Sequence, residues 1–347
     1  MASLTPKRLD SLTLSIEQAS TLKSLGHYIG RHDSYKRQAP EVLQSLTIMA
    51  QVESTESSNR IEGIVATKER LEKLVLQSSK PRNRSEQEIA GYRDALTLIH
   101  GSAEHMSLSP NLILQLHSTI SRYMPDAGGK WKMADNAIIE AAPDGSSRVR
   151  FVPTPAIETD QAIQKLSDDF HQAVAVEGRE PLVVIPLAIL DFLCVHPFRD
   201  GNGRISRLLT LLLLQQSGFE VGRYVSLERV FEESKETYYQ ALEESSQNWH
   251  TDEHDLSPWL NYFWGALLRA YRELDARVGT VATGRGSKTA RVRAIVARQI
   301  KPFAISDVEH EARDISRDMI RIVLNTMRDE GAVVLQGRGR GAKWIVL

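Results

Sequence analysis

The chain has 347 residues, of which 41% are hydrophobic and 25% charged, with a formal net charge of -1 and one cysteine, Cys194. That composition is ordinary for a soluble globular protein of two or three domains, and a single cysteine excludes an internal disulfide framework. The longest apolar run, Leu208 to Leu214, is far short of the ~20 residues that span a bilayer. The start Met1-Ala2-Ser3-Leu4 has no basic stretch followed by an apolar run, so the expectation is a cytoplasmic protein with no signal peptide and no membrane partner.

Charge is unevenly spread. Residues 285–347 carry 13 Lys plus Arg against 7 Asp plus Glu, leaving 30 against 37 in residues 1–284. A basic end on an acidic body predicts a separate module with its own partner.

In chain order, residues 1–40 read as short helices and an entry arm. Val42, Leu43, Leu46, Met49 and Ala50 keep helical spacing and predict a helix over 41–62, with Gly63 as its natural stop. Further helices are expected at about 85–100, carrying Ile89, Tyr92 and Leu96, and at 110–122, carrying Leu112, Leu116 and Ile120. Between Trp131 and Pro155 the pattern changes. Two apolar runs, 137–139 and 149–152, flank Ala142-Pro143-Asp144-Gly145-Ser146, the chemistry of a β-hairpin turn. Helices are expected again at about 157–175, 182–195, 203–217, 233–245 and 257–277. Residues 278–287, with three glycines, read as a linker. Three helices then precede Val333-Val334-Leu335, a Gly-Arg-Gly-Arg-Gly turn and Trp344-Ile345-Val346. That is the outline of a winged helix over 288–347.

The chemistry concentrates in residues 196–207, His-Pro-Phe-Arg-Asp-Gly-Asn-Gly-Arg-Ile-Ser-Arg, between two apolar helices. Gly201-Asn202-Gly203 lets successive backbone N–H groups converge at a helix start, where the dipole favours an anion such as phosphate. Arg204 and Arg207 sit three apart on the first turn, with donor geometry for phosphate oxygens. Asp200 would repel a phosphate, so it reads as a Mg²⁺ ligand shared with one. His196, with an ordinary pKa of about 6.5, stands where a general base would. Singly, each residue has an ordinary structural explanation: a tight turn, a structural imidazole, a surface ion pair. Together in one loop they are hard to explain as packing.

This loop resembles the signature of the Fic family, His-x-Phe-x-(Asp or Glu)-Gly-Asn-Gly-Arg-x-x-Arg, and meets every specified position: His196, Phe198, Asp200, Gly201, Asn202, Gly203, Arg204 and Arg207. The resemblance runs from about residue 40 to 275. It implies a mainly α fold, a Fic-type helical core over 41–277 with a β-hairpin flap, to which the element order adds the C-terminal winged-helix domain. It implies a protein adenylyltransferase that moves AMP from ATP to a Ser, Thr or Tyr hydroxyl of a target protein, itself included. His196 would take the hydroxyl proton, Phe198 anchor the loop, Asp200 hold Mg²⁺, and Gly201, Asn202, Gly203, Arg204 and Arg207 hold the phosphates.

Residues 57–63 read Ser-Ser-Asn-Arg-Ile-Glu-Gly. Glu62 lies at a helix C-terminus, where a negative charge needs a compensating cation. The stretch resembles the Fic inhibitory motif, (Ser or Thr)-x-x-x-Glu-(Gly or Asn), through Ser58, Glu62 and Gly63. Its place ahead of the loop resembles the class with the inhibitory helix on the N-terminal side. In that class the Glu pairs with the second loop arginine, here Arg207, and ATP binds unproductively.

Tyr238 and Tyr239 resemble a family segment lining the adenine pocket. Neighbours on a helix point about 100° apart, so one is expected to face the nucleotide, with Tyr239 preferred. The flap is expected to register an extended target segment by strand addition. His250 and His254 have helical metal spacing but sit in a polar loop, and Cys194 reads as a buried core thiol. Arg317, Arg321, Arg328, Arg338, Arg340 and Lys343 suit either DNA phosphates or a protein-docking or homodimer surface. Two other functions stay open: removal of AMP with Glu62 positioning the water, and a DNA-binding regulator that senses nucleotide.

Overall fold

The computed structural model describes residues 3–38, 40–126, 128–141, 147–282, 285–297, 299, 302–337 and 342–346. The expected hairpin turn at 142–146 and most of the Gly-Arg-Gly-Arg-Gly turn lie outside them, Arg338 and Arg340 included. The chain divides into two compact units, Met1–Leu274 and Asp275–Leu347.

The first unit is helical apart from one hairpin. It opens with α1 (Pro6–Ser11), α2 (Ile16–Gln38), α3 (Pro40–Ile61), α4 (Lys68–Leu76), α5 (Arg84–Ser102) and α6 (Pro110–Ile120). The N-terminal stretch is therefore not only short helices, since α2 runs 23 residues. Strands β1 (Ile138–Ala141) and β2 (Ser147–Phe151) pair antiparallel, with Ile139 opposite Val149 and Glu140 opposite Arg148. Then come α7 (Thr159–His171), α8 (Pro181–Val195), α9 (Asn202–Gln216), α10 (Leu227–Glu233), α11 (Lys235–Ser246) and α12 (Ser257–Ala282).

Helices α8 and α9 form the buried axis, and packing rather than amphipathicity defines them. Almost every side chain of α8 is buried, including Val184, Leu187, Leu190 and Val195. Pro186 sits inside this helix and has no N–H for the carbonyl of Leu182, four residues back. The Trp264 indole N–H, from α12, donates to that carbonyl at 2.7 Å, so the orphaned acceptor is satisfied in the core. Trp259 Nε1 donates to the Pro186 carbonyl in the same way. Asp191, fully buried one turn before the loop, accepts from Ser3 and from Trp249 Nε1, while Ser3 Oγ also meets His254 Nε2 at 2.9 Å.

The second unit holds α13 (Arg285–Ala297), α14 (Ile305–Glu311), α15 (Arg317–Asp329), β3 (Val333–Gln336) and β4 (Lys343–Val346), the strands antiparallel with Leu335 opposite Trp344. Val292, Phe303, Val308, Ile320, Leu324 and Trp344 are in its apolar core. Where a linker was expected over 278–287, α12 continues to Ala282 and α13 begins at Arg285. Gly279 in α12 and Gly286 in α13 each cost a helix only about 1 kcal/mol, and no proline interrupts either run.

Candidate active site

The loop after α8 begins with a reversal. His196 caps α8 in the left-handed conformation, φ 50°, and the chain turns outward at once. Gly201, at φ 85°, makes the second turn and starts α9; a side chain there would be strained. Between them the loop is tied to itself. Asn202 Oδ1 accepts from the Phe198 N–H at 2.9 Å, and its Nδ2 donates to the Phe198 carbonyl at 2.7 Å. Both ends of this buried amide are therefore used on the backbone. Only its main-chain N–H remains for a ligand.

Phe198 is fully buried and stacks on His117, with centroids 3.7 Å apart. His117 accepts from the Gly129 N–H at Nδ1 and donates from Nε2 to the Asp200 carbonyl. Burial lowers its pKa to about 4, so the ring is neutral and bridges two loops. Lys132 donates to the Val195 carbonyl and to Asn136, and Asn136 reaches the Phe198 carbonyl. Burial lowers Lys132 to about 8. The residue types of His117, Lys132 and Asn136 carry no chemistry-bearing spacing, so the sequence offered no signal for them.

A cavity of about 580 Å³ brings together Glu62, Arg150, His196, Arg199, Asp200, Gly201, Gly203, Arg207, Lys235, Tyr238 and Tyr239. At its rim, His196 Nδ1 lies 3.3 Å from the Leu193 carbonyl. A carbonyl only accepts, so Nδ1 carries the proton and Nε2 has a lone pair. Burial is the largest influence on this imidazole and lowers its pKa to about 4; Lys132 and Arg150 also lower it, while Leu193 and Glu62 raise it.

Arg207 is buried at the cavity floor. Its Nε donates to Ser58 Oγ at 2.8 Å, and its Nη2 to the Ser58 carbonyl at 2.9 Å and to Glu62 Oε1 at 2.8 Å. Burial is the largest single influence and opposes the charge, but Glu62, Tyr238 and Tyr92 together more than offset it and hold the guanidinium pKa above its ordinary value. Glu62 follows the end of α3 and precedes Gly63, at φ 79°. Its carboxylate also covers Gly203: a Cβ on Gly203 would overlap Glu62 Oε1. A side-chain anion thus occupies the start of α9, the position where a helix N-terminus favours negative charge. Lys235, which the sequence did not single out, caps the Ile61 carbonyl at 2.8 Å.

Arg204 is placed differently from expectation. Its Nη1 pairs with Glu88 Oε2 at 2.7 Å and its Nη2 lies 3.3 Å from Asp200 Oδ2. A buried carboxylate such as Glu88 needs a cation, and Arg204 supplies it. Arg204 lines a neighbouring cavity of about 960 Å³ with Arg84 and Lys130, not the one holding His196. That larger cavity shares Arg199 and Asp200 at its rim but contains neither His196 nor Arg207.

Asp200 extends into solvent, its side chain 73% exposed, with Oδ1 accepting from the Gly201 N–H. Among the described residues no three His, Cys, Asp or Glu side chains cluster as a metal cage. One protein carboxylate at the mouth of a phosphate-sized anion site fits Mg²⁺, which keeps several waters and takes substrate phosphates as ligands.

Both tyrosines line the cavity. Tyr238 is buried against Phe231, Trp259 and Tyr262, whereas Tyr239 is half-buried with Arg150 5.2 Å from its ring centroid. Ser246 also lines the cavity. Cys194 is buried, and burial, then Asp191, raises its thiol pKa. His250 stacks on Phe151 and bonds the Val152 carbonyl, while His254 meets Ser3, so the two histidines serve separate contacts. No described helix is long and apolar enough to cross a membrane.

Residues 107–214 match the model of the Fic/DOC family. That span contains the whole 196–207 loop but neither Glu62 nor Tyr238 and Tyr239. The chain is 26% identical over 141 residues, 39% of its length, to protein adenylyltransferase fic-1 of Caenorhabditis briggsae, and 27% over 144 residues to that of Caenorhabditis elegans. The aligned part spans about 25% of these relatives. Among solved structures, a Fic family protein from Desulfovibrio desulfuricans G20 superposes with a TM-score of 0.61 at 20% identity, over 97% of both chains. Fic-1 residues 134–508 from C. elegans gives 0.58 at 21% identity, over 76% of this chain and 74% of that one. These likenesses speak to the fold. Residues 107–214, which carry the loop described above, are thus similar to the Fic/DOC family, and the chain has the fold of solved Fic proteins.

Proposed function

We propose that the chain is a protein adenylyltransferase held in check by Glu62. The observation that carries this reading is the cavity itself: a neutral His196 with a bare Nε2 faces an anion site made of the α9 N-terminus and Arg207, and a carboxylate of the same chain sits on that site. ATP supplies the ligand chemistry. Its phosphates take the place of the Glu62 carboxylate at Gly201, Gly203 and Arg207, with Arg207 reaching the distal ones, and Arg150 and Lys235 adding positive charge at the wall. The base packs toward Tyr239. Mg²⁺, held by Asp200 and the phosphates, would neutralise phosphate charge.

The target hydroxyl gives its proton to His196 Nε2 as its oxygen attacks the α-phosphorus. The bond from that phosphorus to the bridging oxygen breaks, AMP stays on the target, and pyrophosphate leaves. Fixed N–H dipoles and Arg207 stabilise the charge that develops. The flap supports target docking: Ile139 and Val149, opposite one another, are 63% and 58% exposed. Label from α-labelled ATP, but not γ-labelled ATP, should enter protein; label from the γ-position instead would reject the reading.

AMP removal is a second reading, favoured by one observation: Glu62 shares the cavity with His196 and could orient a water there. Release of AMP from an adenylylated protein, lost on Glu62→Gln, would support it.

For the C-terminal unit we read a winged helix that docks protein. Arg317, Arg321 and Arg328 on α15 are engaged by Glu309, Asp318 and Asp329, which reduces their pull on phosphate. Strong, salt-sensitive binding of duplex DNA by the full chain would contradict this.

A further inference from the structure

Arg207 raises a physical problem that the Glu62 pair does not solve. The guanidinium is 2% exposed, and a buried cation whose partner leaves is strongly destabilised. If ATP displaces Glu62, something else must keep Arg207 oriented while the phosphates arrive. A second carboxylate lies behind it. Glu228, at the start of α10, is fully buried, yet both its oxygens take hydroxyl donors: Tyr92 Oη at 2.9 Å and Ser226 Oγ at 3.3 Å. Acceptance at both oxygens is the pattern of an ionised carboxylate.

Tyr92, on α5, is also fully buried. Burial and then Glu228 raise its phenol pKa well above the ordinary value, so it stays a donor; Arg207 and a hydrogen bond with Ser58 pull the other way. Ser58 Oγ accepts from Arg207 Nε, which leaves its own proton to give onward. Arg207 thus donates to Ser58 and Tyr92 to Glu228, with Ser58 and Tyr92 electrostatically coupled between these two bonds, in a line through four helices and out of reach of solvent. A chain of buried hydrogen bonds polarised by a charge at each end is stronger than its separate links.

We propose that Glu228 is a remote counter-charge that, through Tyr92 and Ser58, positions Arg207 for the distal phosphates of ATP once Glu62 withdraws. Glu228 touches neither nucleotide nor target; it acts through Arg207. This rests on the adenylyltransferase reading for its substrate, but the relay itself is a property of the folded chain. Glu62 and Glu228 then share one cation, Glu62 exchangeable and Glu228 permanent.

The test uses the full-length chain carrying Glu62→Gly and His196→Ala, so that nucleotide binds without turnover. Tyr92→Phe keeps the ring and cuts the relay; Glu228→Gln keeps the shape and removes the charge. Calorimetry with Mg·ATP and with AMP reads the effect. Each variant should weaken ATP about tenfold, the scale of one charge-assisted hydrogen bond, and leave AMP unchanged. ATP affinity unchanged, or ATP and AMP weakened together, overturns the positioning role. If the parent binds ATP no better than AMP, the adenylyltransferase reading fails instead. A thermal-unfolding cycle of Glu62→Gln against Tyr92→Phe then decides the relay alone. Removing both partners of one buried cation should cost at least ~2 °C more than the two single losses combined; additivity would reject it.

Discussion

The Glu62 carboxylate lies 2.8 Å from the Arg207 guanidinium and directly over Gly203 at the start of α9. One side chain therefore does two things. It neutralises a buried cation, and it fills the point at which the helix dipole and the loop N–H groups converge.

That double placement predicts the behaviour of Gly203→Ala. The added methyl collides with the tip of Glu62, a flexible side chain that can swing away, so the chain should still fold, at a cost of roughly 2–4 kcal/mol because the buried Arg207 loses that partner. The same methyl stands where a phosphate would approach, so ATP binding should be lost although the brake is displaced. Thermal unfolding together with calorimetric titration of ATP separates the two effects. A Gly203→Ala variant that binds ATP as the wild type does would show that phosphate does not sit there.

Asn202 gives a prediction about loop rigidity. Its amide holds the Phe198 backbone at both ends. Asn202→Ala leaves a buried N–H without its partner and weakens the hold on a carbonyl that Asn136 also contacts, and should cost roughly 2–4 kcal/mol. Denaturant unfolding measures it. A loss below about 0.5 kcal/mol would mean that these bonds do not hold the loop.

How much of this was readable beforehand differs from residue to residue. The α8–loop–α9 segment was legible because its chemistry is local: glycines, arginines and a histidine in one run. Glu62 was legible only through resemblance, since a glutamate at a helix end is ordinary until Arg207 arrives from 145 positions away. The side-chain use of Asn202 and the Glu88 partner of Arg204 depend on what surrounds them, and residue type could not reveal either. His117, Lys132 and Tyr92 were not singled out as site residues because their roles come from tertiary packing. Helix α4 was missed although Thr67 caps it and Leu71, Leu74 and Val75 are buried on one face; nine residues is too short for periodicity to stand out. The winged-helix outline came from element order, and the five elements occur in that order.

The buried imidazoles set a pH dependence. His100, His117, His196 and His254 each have their pKa lowered by burial from 6.5 to about 4. Between these values the unfolded chain binds more protons than the folded one. Their contribution is therefore complete above about pH 6.5 and is lost as pH falls toward 4. Asp191 runs the other way: burial raises it from 3.8 to about 6, so its contribution is complete below 3.8 and is lost as pH rises through 6. The four imidazoles outweigh the one carboxyl, which gives a net loss on acidification. Thermal midpoints measured from about pH 7.5 to 4.5 should fall steadily; a midpoint that rises over that range would contradict the assignment of neutral, buried rings.

The central claim is that Glu62 restrains transfer by His196, and the most direct measurement is incorporation of α-labelled AMP into protein with ATP and Mg²⁺. The wild type, Glu62→Gly, and Glu62→Gly with His196→Ala are compared by label and intact mass. The wild type should stay nearly blank, Glu62→Gly should gain at least about tenfold in AMP, the scale of freeing one charged site, and the double variant should gain none. Equal labelling of the wild type and Glu62→Gly, or a double variant as active as the single, would contradict it.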